Sequence, residues 1–118
     1  MELSIHVSEL KPGIMVLRAS GPIYNDSARG WEQQVQRELN AKPSALLINL
    51  SKVTYITSWG MGVLIACSGS QDQARGTRIV LVGAQGETRE SLRLMGLFEL
   101  YTDAPDEEAA LKLLERGA

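Results

Sequence analysis

Ile48-Asn-Leu-Ser-Lys-Val-Thr-Tyr-Ile-Thr-Ser-Trp-Gly-Met-Gly-Val-Leu64 is the stretch on which the reading of this chain turns. It continues an apolar run from Ala45 to Leu50, of the kind found in parallel strands covered on both faces. A short connection through Val53, Tyr55 and Ile56 leads to Ser58, where a helix is expected to start and to run to about Arg75, stopped by Gly76. The first half of that helix is apolar all round and the second half, from Ser68, is polar, which predicts a buried beginning and a solvated end. Gly60 and Gly62 each lower helix propensity by about 1 kcal/mol relative to alanine. Their presence implies close approach to the backbone by a neighbouring strand or a partner.

Outward from this stretch the chain alternates strand and helix signals. Leu3, Ile5 and Val7 interleave with polar residues at period 2, Pro12-Gly13 suits a type II turn, and Ile14 to Ala19 reads as a buried strand. Asn25, Asp26 and Ser27 are good helix caps, followed by Ala28, Trp31, Val35 and Leu39 at helical spacing. Gly30 weakens this helix, so the packing of Trp31 is expected to hold that turn. Ile79 to Val82 is a further buried strand; Thr88, Leu92 and Met95 mark a third helix closed by Gly96; Leu100 to Thr102 suits a short last strand. Pro105 then precedes a helix whose first turn carries Asp106, Glu107 and Glu108 and whose last carries Lys112 and Arg116, as the helix dipole favours, with Gly117 as its stop. The order is β-β-α-β-α-β-α-β-α. It predicts a single α/β domain over residues 1–118, with a mostly parallel sheet of four or five strands, an antiparallel first strand and about four helices.

Composition excludes several classes of function. The 118 residues carry 12 Lys and Arg against 14 Asp and Glu, a formal net charge of −2, which lacks the field that backbone-driven nucleic-acid binding requires. No apolar run approaches the roughly 18 residues of a membrane span, and the start has no basic region followed by an apolar stretch, so a cytoplasmic location is expected. One histidine and one cysteine leave catalytic triads, Cys/His pairs and His/Cys metal sites without parts, which argues against an enzyme and against a resident metal or cofactor. His6 lies on the polar side of its strand, and Cys67 reads as a small core residue. Gly83-Ala-Gln-Gly86 lacks the Lys-Ser/Thr of a P-loop and the spacing of a dinucleotide fingerprint, so it reads as a turn.

The opening stretch resembles the signature of STAS domains, the family that includes bacterial anti-sigma factor antagonists. In that signature a strand ending Asp-Leu-Ser leads through Val-x-Phe/Tyr-Ile to Asp-Ser-Ser/Thr-Gly at a helix start. Thr88 to Phe98 and Asp103 to Leu114 are similar to the last two helices of the family, so the likeness covers nearly the whole chain. In the antagonist branch, the serine after the Asp is phosphorylated by a partner anti-sigma kinase, and phosphorylation releases that partner. By position the resemblance implies Ser58 as the acceptor. A serine at a helix start lies near free backbone N–H groups, and a phosphate there adds about −1.5 to −2 charge to a small patch.

The chain departs from the pattern at Thr57 and Asn49, each in place of Asp, at Trp59 in place of a small residue, and at Tyr24 in a Gly21-Pro-Ile-Tyr-Asn-Asp26 segment similar to the family's Gly-x-Leu-Asp loop. Trp59 is expected at an interface, because Met61, Leu64 and Ile65 already supply the core. The partner-binding residues implied are Tyr24, Asn25, Asp26, Thr57, Ser58, Trp59, Gly60 and Met61. The partner implied is an anti-sigma factor of the serine-kinase type that itself binds ATP; homodimerisation stays open. Two other readings remain at this point. One is a constitutive STAS scaffold or accessory subunit, as in stress-signalling or phospholipid-transport assemblies, with Ser58 structural. The other is a small enzyme or receiver of aspartyl phosphate, which the absence of a carboxylate cluster at the strand ends disfavours.

Overall fold

The computed structural model describes residues 2–71 and 76–116. Five strands lie in the spatial order in which they occur in the chain: β1 (Ser4–Lys11), β2 (Ile14–Ile23), β3 (Ala45–Ile56), β4 (Arg78–Val82) and β5 (Thr102–Ala104). The β1–β2 pair is antiparallel and every later pair is parallel. The hairpin turns at Gly13, whose φ of 80° is the left-handed geometry a type II turn requires. Five helices join or follow the strands: α1 (Ala28–Asn40), α2 (Ser58–Cys67), α3 (Gly86–Leu94), the single turn α4 (Leu97–Leu100) and α5 (Glu107–Glu115).

The sheet has two unlike faces. On one, Leu17, Ile48 and Leu81 of the sheet pack with Trp31 and Val35 of α1, Leu64 of α2, Leu92 of α3 and Leu97 of α4 in the main core. On the other, Val16, Leu47, Val80 and Val82 pack with Ala110 of α5 in a smaller cluster. The α5 helix is fastened to the sheet by charge: Arg18 donates two hydrogen bonds of 2.8 Å to the Glu107 carboxylate, and Asn49 donates one of 2.6 Å. These donors, the Arg18 bonds above all, hold Glu107 below the usual carboxylate range. The Asn49 side chain also accepts from Ser51 N, so its amide serves as donor and acceptor at once. An aspartate at 49 could not donate to Glu107 and would set two carboxylates against each other, which gives this departure from the family pattern a local cause.

The structure differs from the expectations in four places. What reads as a connection through Val53, Tyr55 and Ile56 is the continuation of β3, paired with β2 as far as Ile23 and Ile56. Two irregularities in that pairing, after Arg18 and after Gly21, break the period-2 alternation that would have revealed the strand. The long second helix is α2 to Cys67 followed by a 3₁₀ turn from Ser68 to Gln71; its expected end at Arg75, like Gly117, lies outside the described residues. The last strand falls two residues later than Leu100 to Thr102, because Leu97–Leu100 forms the extra turn α4. Ser27 stands at the N-cap of α1 but makes no capping bond. Its hydroxyl instead accepts from Tyr24 N at 3.0 Å and donates to Tyr24 O at 3.2 Å, closing the loop that carries Asn25 and Asp26. Gly96 behaves as expected, with a left-handed φ of 78° between α3 and α4.

Candidate functional site

The ends of β2 and β3 lie side by side, since Ile23 pairs with Ile56 and Thr57 N donates to Ile23 O at 3.0 Å. This register brings the loop after β2 against the start of α2, although some thirty residues separate them in sequence. Tyr24 and Tyr55 meet with ring centroids 5.8 Å apart and planes tilted by 46°. Both rings are largely exposed, at 49% and 42%, as is Trp59 at 47%. These three large side chains are left open on neighbouring elements, as Leu94, Met95 and Leu100 are elsewhere on the surface.

Thr57 is the cap of α2. It has extended backbone geometry, and its hydroxyl accepts from Gly60 N at 3.2 Å. Ser58, one residue on, is therefore free of the capping task. It is exposed in the first turn, and among the described residues its hydroxyl has no hydrogen-bond partner. No acidic residue occupies that first turn, so the turn itself supplies no fixed negative charge to its N–H groups and the positive end of the helix dipole.

Behind Ser58 the backbone is tied to α1 and packed on the ends of β2 and β3. Trp31, fully buried on α1, donates its indole N–H to Gly60 O at 3.1 Å. A Cβ on Gly60 would come within 2.9 Å of both Ile23 Cγ2 and Ile56 Cγ1, so the helix can sit on the ends of β2 and β3 only with glycine there. Gly62 has open space around its Cβ direction, so the close approach expected at both glycines is made at one. Gly60 and Met61 are buried, Met61 at 5% exposure, which removes them from the surface expected to meet a partner. They face the core because Thr57 turns the chain into the helix with Ser58 and Trp59 outward. Of the remaining candidates Tyr24, Asn25, Asp26, Ser58 and Trp59 are exposed and Thr57 is half-buried. Tyr55 belongs with them and escaped the sequence reading, since a residue taken for a connection has no assigned face.

The other singled-out groups are structural. Cys67 is buried, and burial with Glu32 nearby pushes its thiol up from the ordinary value, the reverse of an activated nucleophile. Tyr101 donates to Leu64 O and is raised likewise by burial, which pins α2 to the end of α4. Gly83, in the irregular stretch between β4 and α3, has a left-handed φ of 72° and is packed so closely on Ser51 that a Cβ would lie 2.8 Å from the serine Cβ. Among the described residues no cluster of His, Cys, Asp and Glu could hold a metal, and no helix is long and apolar enough to cross a membrane.

Comparison with known proteins agrees with this architecture. The Anti-sigma-F factor antagonist RsfB of Mycobacterium tuberculosis is 32% identical over 97 residues, covering 80% of this chain and 78% of that protein. The crystal structure of an anti-sigma factor antagonist from Mycobacterium paratuberculosis superposes with a TM-score of 0.85 at 26% identity, covering 97% of this chain and 95% of that one. A sulfate transporter family protein from Wolinella succinogenes shares the fold at a TM-score of 0.74 and 20% identity, over 92% of this chain and 89% of its own. That recurrence shows that the fold alone does not decide function. The STAS domain family model matches residues 7–110, and the chain belongs to the STAS domain family.

Proposed function

We propose that this chain, read as one STAS domain over residues 1–118, is an anti-sigma factor antagonist: a non-enzymatic, cytoplasmic protein-binding switch controlled by phosphorylation at Ser58. The observation that carries this reading is the position of Ser58. It is exposed at a helix start with no acidic residue in its first turn, next in sequence to Trp59 and three residues after Tyr55, whose ring meets that of Tyr24. In the unmodified state the aromatic groups and Thr57 dock on an anti-sigma factor of the serine-kinase type, with Asn25 and Asp26 at the rim. ATP is bound by that partner, and this chain needs no cofactor of its own. A phosphate on Ser58 puts about −1.5 to −2 of charge and a tight hydration shell on that surface, which opposes its burial against the partner. The named role of the relatives supports the same assignment.

The test is incubation with the cognate kinase-type anti-sigma factor and ATP, followed by mass-spectrometric mapping of phosphate. Modification at Ser58 is expected, together with loss of partner binding in Ser58→Asp and retention in Ser58→Ala. An unmodified Ser58 beside a control antagonist that reacts overturns the switch. Binding unaffected by Ser58→Asp would instead make the chain a constitutive scaffold.

A further inference from the structure

The face of the sheet that carries α5 is covered over only part of its length. The nine-residue α5 spans about 13 Å at 1.5 Å per residue. It sits over Val16, Leu47 and Val80. Beyond Glu107, towards the other end of β2, the same face turns polar. His6, Arg18 and Asn49 stand in one row across β1, β2 and β3, and Ser4, Ser20 and Lys52 form the next. These six residues line an open cleft of about 410 Å³. No carboxylate lines it, in a chain where acids outnumber bases.

We propose that this cleft binds an oxyanion of the phosphate class, as the free ion or as a phosphate monoester. Residues that carry donors line the cleft. Arg18 spends three of its five N–H groups, two on Glu107 and one on Ser8, and two remain. Glu107 offsets the charge of Arg18 and leaves that of Lys52, which is exposed and has no ion pair among the described residues. Ser4 Oγ lies 3.2 Å from His6 Nε2, so the hydroxyl and the ring are held beside each other on the rim. Serine hydroxyls, an ammonium and spare guanidinium N–H groups around one opening fit a tetrahedral anion with several acceptor oxygens. Among the lining residues Lys52 carries a positive charge that no carboxylate offsets, which favours an anion over a cation. None of these residues belongs to the Ser58 surface, so the inference stands apart from the proposed switch.

His6 is the only histidine, and its ring signals in ¹H–¹³C NMR spectra report on the cleft without overlap. Titration of the full chain with sodium phosphate, against sodium chloride at equal ionic strength, is expected to move the His6 ring and Lys52 amide signals to saturation. Lys52→Ala removes an exposed side chain with little effect on folding and is expected to weaken binding about tenfold, the loss of one charge-assisted contact. Adenosine monophosphate binding tighter than phosphate, with adenosine silent, identifies a monoester as the ligand; equal affinity of the two anions identifies the free ion. Shifts no larger than those with chloride, or unchanged affinity in folded Lys52→Ala, overturn the proposal.

Discussion

The first turns of α2 and α5 are built on the same plan with opposite chemistry. Each helix has a capping side chain that accepts from the N–H three residues on: Thr57 from Gly60 at 3.2 Å, and Asp106 from Ala109 at 2.8 Å. The residue after the cap is Ser58 in one and Glu107 in the other, so the two occupy equivalent positions. In α5 that position holds a carboxylate committed to Arg18 and Asn49, and Glu108 follows it. In α2 it holds an exposed hydroxyl, and the helix is anchored from behind by Trp31 on the Gly60 carbonyl. An anchor made through buried backbone leaves the outer surface of the turn uncommitted, whereas one made through the first side chain uses it up. This difference is why the proposed switch falls at α2, although α5 has the more strongly charged helix start.

The hardest way to break the comparison is to remove the rear anchor. Trp31→Ala deletes a fully buried side chain and removes the indole donor from Gly60 O, at an expected cost of about 3–5 kcal/mol. Urea denaturation measures it, and hydrogen exchange at the start of α2 should accelerate more than at the start of α5. Equal acceleration at both would mean that Trp31 supports the core in general and not this turn.

The anchor of α5 is weaker and depends on pH. Glu107→Gln keeps the shape but loses the charge-assisted bonds, at about 1–2 kcal/mol near neutrality, discounted because Arg18 is close to half exposed. Arg18 and Asn49 depress Glu107 in the folded state, so its contribution is present above the ordinary glutamate value of about 4.3 and is lost as pH falls through the depressed one. Stability curves of wild type and variant should therefore converge in acid and separate as pH rises past that value. Parallel curves would show that Glu107 is not the group responsible.

Much of this plan could be read from the sequence, and the exceptions have physical causes. Leu46, Leu47 and Ile48, together with Ile79 to Val82, announced central strands because both sheet faces are covered there. Residues 51 to 56 did not, because β4 pairs with β3 only as far as Asn49 and β2 meets the remainder through register shifts, leaving no clean period. The same gap hid Tyr55. Ser58 and Trp59 were legible through the motif, and the outward direction of Trp59 followed from counting the core residues that come after it. The α5 tether was not legible, since no local pattern links Arg18, Asn49 and Glu107 across 89 and 58 residues.

The caps themselves give a narrower contrast. Thr57→Ala and Asp106→Ala should each cost about 0.5–2 kcal/mol. Asp106→Ala should cost the more of the two at low salt, because it also removes a negative charge from the positive end of a helix. Thermal melts in low and high salt separate the contributions: the gap between the variants narrows as salt rises. A gap independent of salt would assign it to hydrogen-bond geometry alone.

The smallest effect bears most directly on Ser58. If the first turn of α2 is an unfilled version of that of α5, then Ser58→Asp supplies the missing charge, and the isolated protein should gain about 0.3–1 kcal/mol at low ionic strength. The gain should fade with salt, since the side chain is exposed and screening acts within about 10 Å at 0.1 M. The corresponding loss of charge in α5, Glu108→Gln, should cost a similar amount, because Glu108 is exposed and its contact with Lys112 is a loose 3.6 Å. The variant designed to abolish partner binding is thus expected to be slightly more stable than wild type. Binding lost in a protein that melts higher cannot be put down to unfolding, so the two measurements together separate a charge effect at the docking surface from damage to the fold. A Ser58→Asp protein that melts lower at low salt would show that α2 does not accept a negative charge at its first position, and the equivalence of the two helix starts would fail.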